Sequence, residues 1–176
     1  MIECQDVSFS YPASTLPDSE RQAGSALKHI SCTIEDGSFV LLCGTSGCGK
    51  TTMTRLFNGL IPHYHEGTYT GSVYLDGKDT RDLSLFDISL KVGSVFQNPR
   101  SQFFNVDTTS ELAFGPENHG MPEDIVRDRV KRVAAQLKLE PLLDRSIFSL
   151  SGGEKQKIAC GSAAAIAPDV YVLDEP

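Results

Sequence analysis

The 176-residue sequence lacks tryptophan, has only three methionines and contains no long hydrophobic run. Its apolar stretches all fall short of the roughly 18 residues that a membrane-spanning helix needs. The first residues, MIECQDVSF, carry acidic side chains where a secretory signal carries a basic and then an apolar segment. The five cysteines form no CxxC pair and are odd in number, which excludes a disulfide scaffold and indicates reduced thiols in a cytosolic protein.

Basic side chains are also fewer than acidic ones. Sixteen Lys and Arg stand against 23 Asp and Glu, which gives a net charge of −7. A duplex nucleic-acid binder normally needs a basic face, so we expect no nucleic-acid partner. A bound nucleotide needs only a local nest of backbone N–H groups and one lysine, and is not excluded. The length and the 40% hydrophobic and 22% charged content fit one globular domain.

The hydrophobic pattern predicts strands that alternate with helices. Predicted strands cover residues 2–11, 27–35, 38–43, 71–79 and the final segment VYVLDEP. The apolar run 38–43 is typical of a strand buried on both faces, and VYVLDEP also predicts a buried strand. Predicted helices cover 50–60, much of 109–148, and a segment that starts near Ser151 and stops before Pro168. Residues 12–25 are rich in turn formers and predict a surface loop.

A glycine-rich segment, GTSGCGKT, matches the pattern G-x-x-x-x-G-K-[ST] between a predicted strand and a predicted helix. Glycines let backbone N–H groups turn onto phosphate oxygens, and the helix N-terminus adds a positive dipole end. Lys50 can then reach the β- and γ-phosphates, and the Thr51 hydroxyl can ligate Mg²⁺. The alternative is a glycine-rich turn that only joins strand to helix. The predicted phosphate-binding residues are Gly44, Thr45, Ser46, Gly47, Cys48, Gly49, Lys50, Thr51 and Thr52.

Two carboxylates follow the last predicted strand. Ligands of an open parallel sheet gather at the carboxyl ends of its strands. Asp174 would hold Mg²⁺ through water, and Glu175 would orient or deprotonate the attacking water. The alternative is a strand that runs into a solvated acidic turn.

A second glycine motif, LSGGEKQ, opens the last predicted helix. Ser151 and Glu154 have the spacing of a capping box, which accounts for these two residues without a ligand. A capping box explains neither of the paired glycines, Gly152 and Gly153. A helix N-terminus with bare glycine N–H groups and a serine hydroxyl is also an anion site.

The order GTSGCGKT, Gln97, LSGGEKQ and VYVLDEP resembles an ABC-type ATPase over essentially the whole chain. The resemblance implies an α/β fold of the P-loop NTPase class, with a mixed β core, an antiparallel β subdomain and an inserted α-helical subdomain. Residues 1–96 and 168–176 would form the nucleotide-binding core, about 97–150 the helical subdomain and 150–167 the signature helix. Such ATPases continue with a D-loop and a switch histidine, so we expect a chain truncated after Glu175.

The resemblance also implies roles for single residues. Tyr11 would stack on adenine, and Gln97 would sense Mg²⁺ and the attacking water, in catalysis with Glu175 and Lys50. The LSGG motif, with Ser151, would close on the γ-phosphate held by a second ATPase domain. The implied cofactors are therefore ATP and Mg²⁺, and the implied partner is a second copy or a related subunit.

Two further segments, FQNPRSQ and AFGPEN, are similar to those of energy-coupling-factor ATPases, which drive uptake of vitamins or of cobalt and nickel ions. The resemblance implies that Gln97–Asn118 contacts a transmembrane subunit, which places the protein at the inner face of the cell membrane. The alternative is that these residues are common to ABC helical subdomains.

Other functions remain open from the residues alone. A soluble ABC ATPase of DNA repair or translation is disfavoured by the acidic charge and by the absence of sustained heptads between the two glycine motifs. A phosphoryl-transferring kinase would have no need of LSGGEKQ. A nucleotide-binding fragment without turnover is a further alternative. His63 and His65 flank Tyr64 in a loop-like stretch. This pattern favours a solvated loop over a pair of metal ligands.

Overall fold

The computed structural model describes residues 1–12 and 26–175, so most of the predicted loop 12–25 lies outside the described residues. The chain forms two compact units, Met1–Ser89 and Leu90–Pro176. Among the described residues, every helix is too short or too polar to cross a bilayer.

The N-terminal unit carries an antiparallel sheet and three short helices. Its strands pair in the order β2-β1-β3-β4. Their bounds are β1 Ile2–Ser10, β2 Leu27–Ile34, β3 Thr68–Leu75 and β4 Lys78–Asp79, and the helices are α1 Lys50–Phe57, α2 Leu60–His63 and α3 Leu85–Lys91. The sequence correctly predicted β1, β2, α1 and the Asp-Gly turn that joins β3 to β4.

A bulge in β1 explains its hydrophobic spacing. The buried apolar residues of this strand are Ile2, Cys4, Val7 and Phe9. These buried residues are two positions apart except between Cys4 and Val7, which are three apart. The pairing register with both neighbouring strands shifts in this part of β1. Asp6 lies at this register shift with a φ of 50°. Gly71 faces the bulge, because a Cβ there would meet the Asp6 carbonyl oxygen at 2.3 Å.

The predicted strand 38–43 is wrong. This segment forms no strand and pairs with none among the described residues, and the Phe39 side chain is 90% exposed. A strand buried on both faces needs a neighbouring strand at each edge and cover on each side. The described chain provides neither for this segment, so its apolar side chains lie open to solvent. The glycine motif is therefore preceded by a segment without regular secondary structure instead of a strand.

The C-terminal unit packs three helices beside a two-stranded parallel sheet. Its elements are β5 Val92–Val95, α4 Thr108–Asn118, α5 Glu123–Leu137, α6 Gly152–Ala165 and β6 Val170–Leu173. The central helix α6 contacts α4, α5 and β5. Its small residues permit this: a Cβ at Gly161 would meet Leu112 Cδ2 and Leu139 Cδ1 at 2.7 Å. The helical pattern of the sequence predicted this region correctly.

The last strand, β6, pairs in parallel with β5 on one edge. Val172 is buried, but Tyr171 is 52% exposed and Leu173 is also exposed. The prediction of a buried strand is thus correct for one face and wrong for the other. The sequence analysis did not identify β5 and α3, since both are too short to show a clear period.

Candidate functional site

The phosphate loop of the N-terminal unit is shaped by two left-handed glycines, Gly47 at φ 79° and Gly49 at φ 101°. Between them Cys48 N donates to Thr45 O at 3.3 Å, which closes a turn. Gly49 also tolerates no side chain, because its Cβ would lie 2.6 Å from Ala26 O. Both glycines are therefore required by the backbone itself.

Lys50 folds back onto the loop that precedes it. Its ammonium donates to the carbonyl oxygens of Gly44 and Thr45, both at 3.0 Å. The loop thus holds the lysine charge against its own backbone.

The predicted phosphate-binding residues differ in exposure. Those from Gly44 to Cys48 are exposed, Gly49 to Thr51 are partly buried, and Thr52 is buried. The Thr52 hydroxyl lies 3.5 Å from the Tyr11 hydroxyl. Thr52 therefore packs into its unit, whereas residues 44–51 stay open to solvent wholly or in part.

Tyr11, the predicted adenine platform, is fixed at the end of β1. Its hydroxyl accepts a hydrogen bond from Arg55 Nη1 at 2.8 Å, and its ring packs edge-on against Phe9, with centroids 4.8 Å apart. His65 also meets the ring edge-on, at 6.2 Å. Burial, together with the Arg55 charge, lowers the pKa of His65, so this imidazole is neutral near pH 7.

The predicted acidic strand end lies in the C-terminal unit. Asp174 is buried, and its backbone N–H continues the sheet by donating to Val95 O at 2.9 Å. Glu175 is exposed and adopts a left-handed φ of 49°. Gln97, which follows β5, donates from Nε2 to Glu175 Oε2 at 2.7 Å. Gln97 and Glu175, two residues 78 positions apart, therefore meet directly beyond the carboxyl ends of two parallel strands.

The LSGG motif begins α6 with the predicted capping box. The Ser151 hydroxyl accepts from Glu154 N, and the Glu154 carboxylate accepts from Ser151 N at 2.8 Å. These bonds, and the Arg145 guanidinium, hold the pKa of Glu154 below its ordinary value. A Cβ at Gly152 or Gly153 would meet nothing within 4 Å. The two glycines therefore have no packing reason in this unit, and they leave the helix N-terminus accessible.

A buried carboxylate organises the segment before α4. Glu111 is 1% exposed and accepts hydrogen bonds from Phe104 N at 3.0 Å and from Asn105 N at 2.8 Å. The segment presents Phe104, 75% exposed, which stacks on Phe114 with centroids 4.8 Å apart. Val106 is exposed nearby, and its carbonyl accepts from Ile147 N.

The stretch that carries His63 and His65 is only partly the solvated loop that the sequence predicted, because His63 ends helix α2 and His65 is partly buried. His63 is exposed and its Nε2 lies 2.8 Å from Thr80 O, while His65 faces Tyr11. Nowhere in residues 1–12 and 26–175 do three His, Cys, Asp or Glu side chains cluster as metal ligands would.

The sequence pattern did not identify two residues that position these sites. Arg55, which holds the Tyr11 hydroxyl, lies in the last turn of α1 and looks like an ordinary surface cation. Glu111 looks like an exposed helix acid, and only its place one turn after the Asp107 N-cap distinguishes it. Tyr11 lies 44 residues before Arg55, and the partners of Glu111 lie six and seven residues before it, outside α4, so helical periodicity carried no signal for either contact.

Comparison with known proteins supports one family. The ABC transporter family model matches residues 27–176. A protein of Treponema denticola named as an ABC transporter ATP-binding protein is 49% identical over the whole chain, which covers 34% of that protein. A protein of the same description from Pyrococcus horikoshii is 44% identical, and the chain covers 59% of it. The chain thus spans about a third to three fifths of the length of these relatives.

Solved structures agree with the sequence relatives. CbiO1 of Clostridium perfringens, described as part of the ABC transporter complex CbiONQ, matches 99% of this chain and 65% of its own with a TM-score of 0.79 at 28% identity. A dimeric bacterial ABC transporter cassette, MJ0796, matches 98% of this chain and 73% of its own, also at 0.79, with 25% identity. These matches confirm the predicted α/β fold of the P-loop ABC class. The chain belongs to the ABC transporter ATP-binding family.

Proposed function

We propose that this chain binds and hydrolyses Mg-ATP to power uptake through a transporter of the energy-coupling-factor type. The observation that carries the proposal is the hydrogen bond between Gln97 and Glu175, which joins a polar sensor residue to a candidate base. A solvated acidic turn would not require an amide from a residue 78 positions earlier in the chain.

Glu175 has the properties of a general base. It is exposed, so water reaches it, and the hydrogen bond from Gln97 occupies only one of its oxygens. An ionised carboxylate has about four acceptor positions, so one bond to Gln97 leaves room to accept a proton from water. Gln97 fixes the carboxylate and offers its amide oxygen as a second polar contact. In this proposal, Glu175 takes the proton of the attacking water.

The phosphate loop supplies the anion site. Lys50 now bonds two backbone carbonyls, and a phosphate oxygen would compete with these neutral acceptors for the ammonium. The left-handed φ of Gly47 and Gly49 supports this site, because successive N–H groups in such turns can form an anion-binding nest. Tyr11, held by Arg55, is the proposed adenine contact.

The oxygen donors proposed for Mg²⁺ are the Thr51 hydroxyl, the Gln97 amide and the Asp174 carboxylate. Hard oxygen ligands of this kind suit Mg²⁺, which also keeps several waters. The ion would neutralise phosphate charge when it is bound.

A second ATPase domain is the proposed partner at the LSGG motif. The open space over Gly152 and Gly153 supports a ligand or partner from outside this unit. The MJ0796 cassette, which shares the fold, is described as dimeric.

A transmembrane subunit is the second proposed partner, bound through Gln97–Asn118 at the inner face of the membrane. The stacked pair Phe104 and Phe114 gives this segment an exposed aromatic surface. The energy-coupling-factor assignment rests on FQNPRSQ and AFGPEN, and on likeness to CbiO1, which is part of CbiONQ.

The test is ATP turnover in this chain and in a form that continues past Pro176. We expect Glu175→Gln to lower turnover by about 10²- to 10⁴-fold while ATP binding persists. Asp169→Asn is the matched control, because it removes an exposed carboxylate at the opposite end of β6. If Glu175→Gln hydrolyses ATP as fast as the unchanged longer form does, Glu175 is not the base.

A further inference from the structure

Cys4 and Cys32 lie directly opposite each other on the antiparallel strands β1 and β2. Opposed residues of an antiparallel pair point to the same face of the sheet. Their Cα atoms lie about 4.5 or 5.5 Å apart, depending on the position in the hydrogen-bond ladder. A disulfide requires a Cα separation of about 4.4–6.8 Å, so the pair satisfies this requirement at either position.

The two thiols also differ in their environment. Cys4 is buried and Cys32 is exposed. The pKa of Cys4 is raised to about 12. Burial of its thiol is the largest cause, and the charge and side-chain hydrogen bond of Cys32 add to it. Cys32 is therefore the thiol that an oxidant in solution meets first, and Cys4 is held beside it as a resolving thiol.

We propose that Cys4 and Cys32 form a reversible redox site, which closes to a cross-strand disulfide when the chain meets a small disulfide such as oxidised glutathione. The site contains none of the residues proposed to bind the nucleotide.

The exchange proceeds in two balanced steps. The Cys32 thiolate attacks one sulfur of oxidised glutathione, which forms a mixed disulfide and releases one glutathione thiolate. Cys4 then loses its proton to water and attacks the Cys32 sulfur, which releases the second glutathione thiolate. Each released glutathione thiolate takes up a proton from water, so overall the two cysteines lose two electrons and two protons and oxidised glutathione gains them.

The other cysteines provide the competing outcomes. Cys43 and Cys48 are exposed and near each other in sequence, and Cys160 is partly buried in α6. Trypsin cleaves after Arg21, Lys28 and Lys50, so Cys32 shares its peptide 29–50 with Cys43 and Cys48, while Cys4 lies in peptide 1–21. A Cys43→Ser/Cys48→Ser variant leaves Cys32 as the one cysteine of peptide 29–50.

The experiment exposes this double variant to oxidised glutathione and analyses the intact mass and the tryptic peptides. We expect a mass loss of two hydrogen atoms, a linked pair of peptides 1–21 and 29–50, and complete reversal by a reducing thiol. Adding Cys160→Ser should leave the linked pair unchanged. Adding Cys32→Ser should abolish it.

Three results would overturn the proposal. They are a glutathione adduct that stays on Cys32 without closing, a link from either peptide to Cys160, or a link between two chains only. The unchanged chain, mapped with a second protease that separates Cys32 from Cys43, keeps the test decisive if the double variant does not fold.

Discussion

At the residue scale, Gly49 is a position where both the backbone conformation and the packing exclude a side chain. Its φ is 101°, and a Cβ would lie 2.6 Å from Ala26 O. Gly49→Ala should therefore lower the free energy of unfolding by about 1–3 kcal/mol and distort the phosphate loop. Urea denaturation measures the change. Gly152→Ala is the control: its Cβ meets open space and the residue is not left-handed, so its stability should stay near that of the parent. Equal stabilities would refute the strain.

A second prediction at this scale concerns Cys48. The thiol is exposed beside Lys50, and a Cβ placed on Gly44 would lie 2.5 Å from its sulfur. An alkyl group on Cys48 would therefore crowd the proposed phosphate site and prevent nucleotide binding. Titration with a fluorescent ATP analogue, after mass spectrometry verifies the adduct, measures the effect. Cys48→Ser should bind ATP and resist the reagent. Unchanged affinity of the alkylated protein would contradict the placement of phosphate at this loop.

At the scale of the element, Glu111 links α4 to the segment that precedes it. Glu111→Ala would leave the Phe104 and Asn105 N–H groups without their acceptor, at a cost of about 1–3 kcal/mol. We also expect a lower affinity for the proposed transmembrane subunit, because Phe104 would lose its fixed position on Phe114. Glu117→Ala removes an exposed acid from the same helix and serves as the control. Chemical denaturation measures the free energy of unfolding of both variants. If Glu111→Ala is no less stable than Glu117→Ala, the buried carboxylate does not stabilise the fold.

The helix caps predict a response to acid. Asp107 caps α4 through Ser110 N, and Glu154 caps α6 through Ser151, which lowers the pKa of each carboxyl. A lowered pKa in the folded state gives stability that is complete above the ordinary carboxyl pKa and is lost as the pH falls through the folded value. Tm should therefore fall on acidification below about pH 4. Asp107→Asn keeps a capping oxygen that does not titrate, so its Tm should fall less steeply. If Tm falls equally steeply with pH in the parent and in Asp107→Asn, the Asp107 carboxylate does not contribute to the acid response.

How far the sequence predicts the structure also depends on the element. β1, β2, α1, α5 and α6 have clear periods or caps, and the structure confirms them. The segment 38–43 has the composition of a core strand but lacks strand neighbours among the described residues, and composition alone does not supply them. β5 and α3 are too short for a period. The contact of Arg55 depends on Tyr11, which lies 44 residues earlier in the chain, and the contacts of Glu111 depend on how the preceding segment folds back onto α4. Hydrophobic periodicity reveals neither.

At the scale of the whole molecule, the chain is an ABC transporter cassette sequence that covers part of its relatives. The phosphate loop lies in the N-terminal unit, and Gln97, Glu175 and LSGG lie in the C-terminal unit. Hydrolysis as proposed requires all of these residues, so neither unit should hydrolyse ATP alone. A second domain for LSGG is also required. Turnover per molecule should therefore rise with protein concentration, whereas a rate independent of concentration would argue against the dimer.

Equilibrium binding of Mg-ATP tests the central claim most directly. The account predicts saturable binding by the form that continues past Pro176, and loss of that binding in a folded Lys50→Ala variant, because the ammonium that faces the phosphates is removed. Circular dichroism of both proteins establishes that they are folded. Absence of ATP binding in the well-folded longer form would contradict the phosphate-loop assignment, and the transporter function with it.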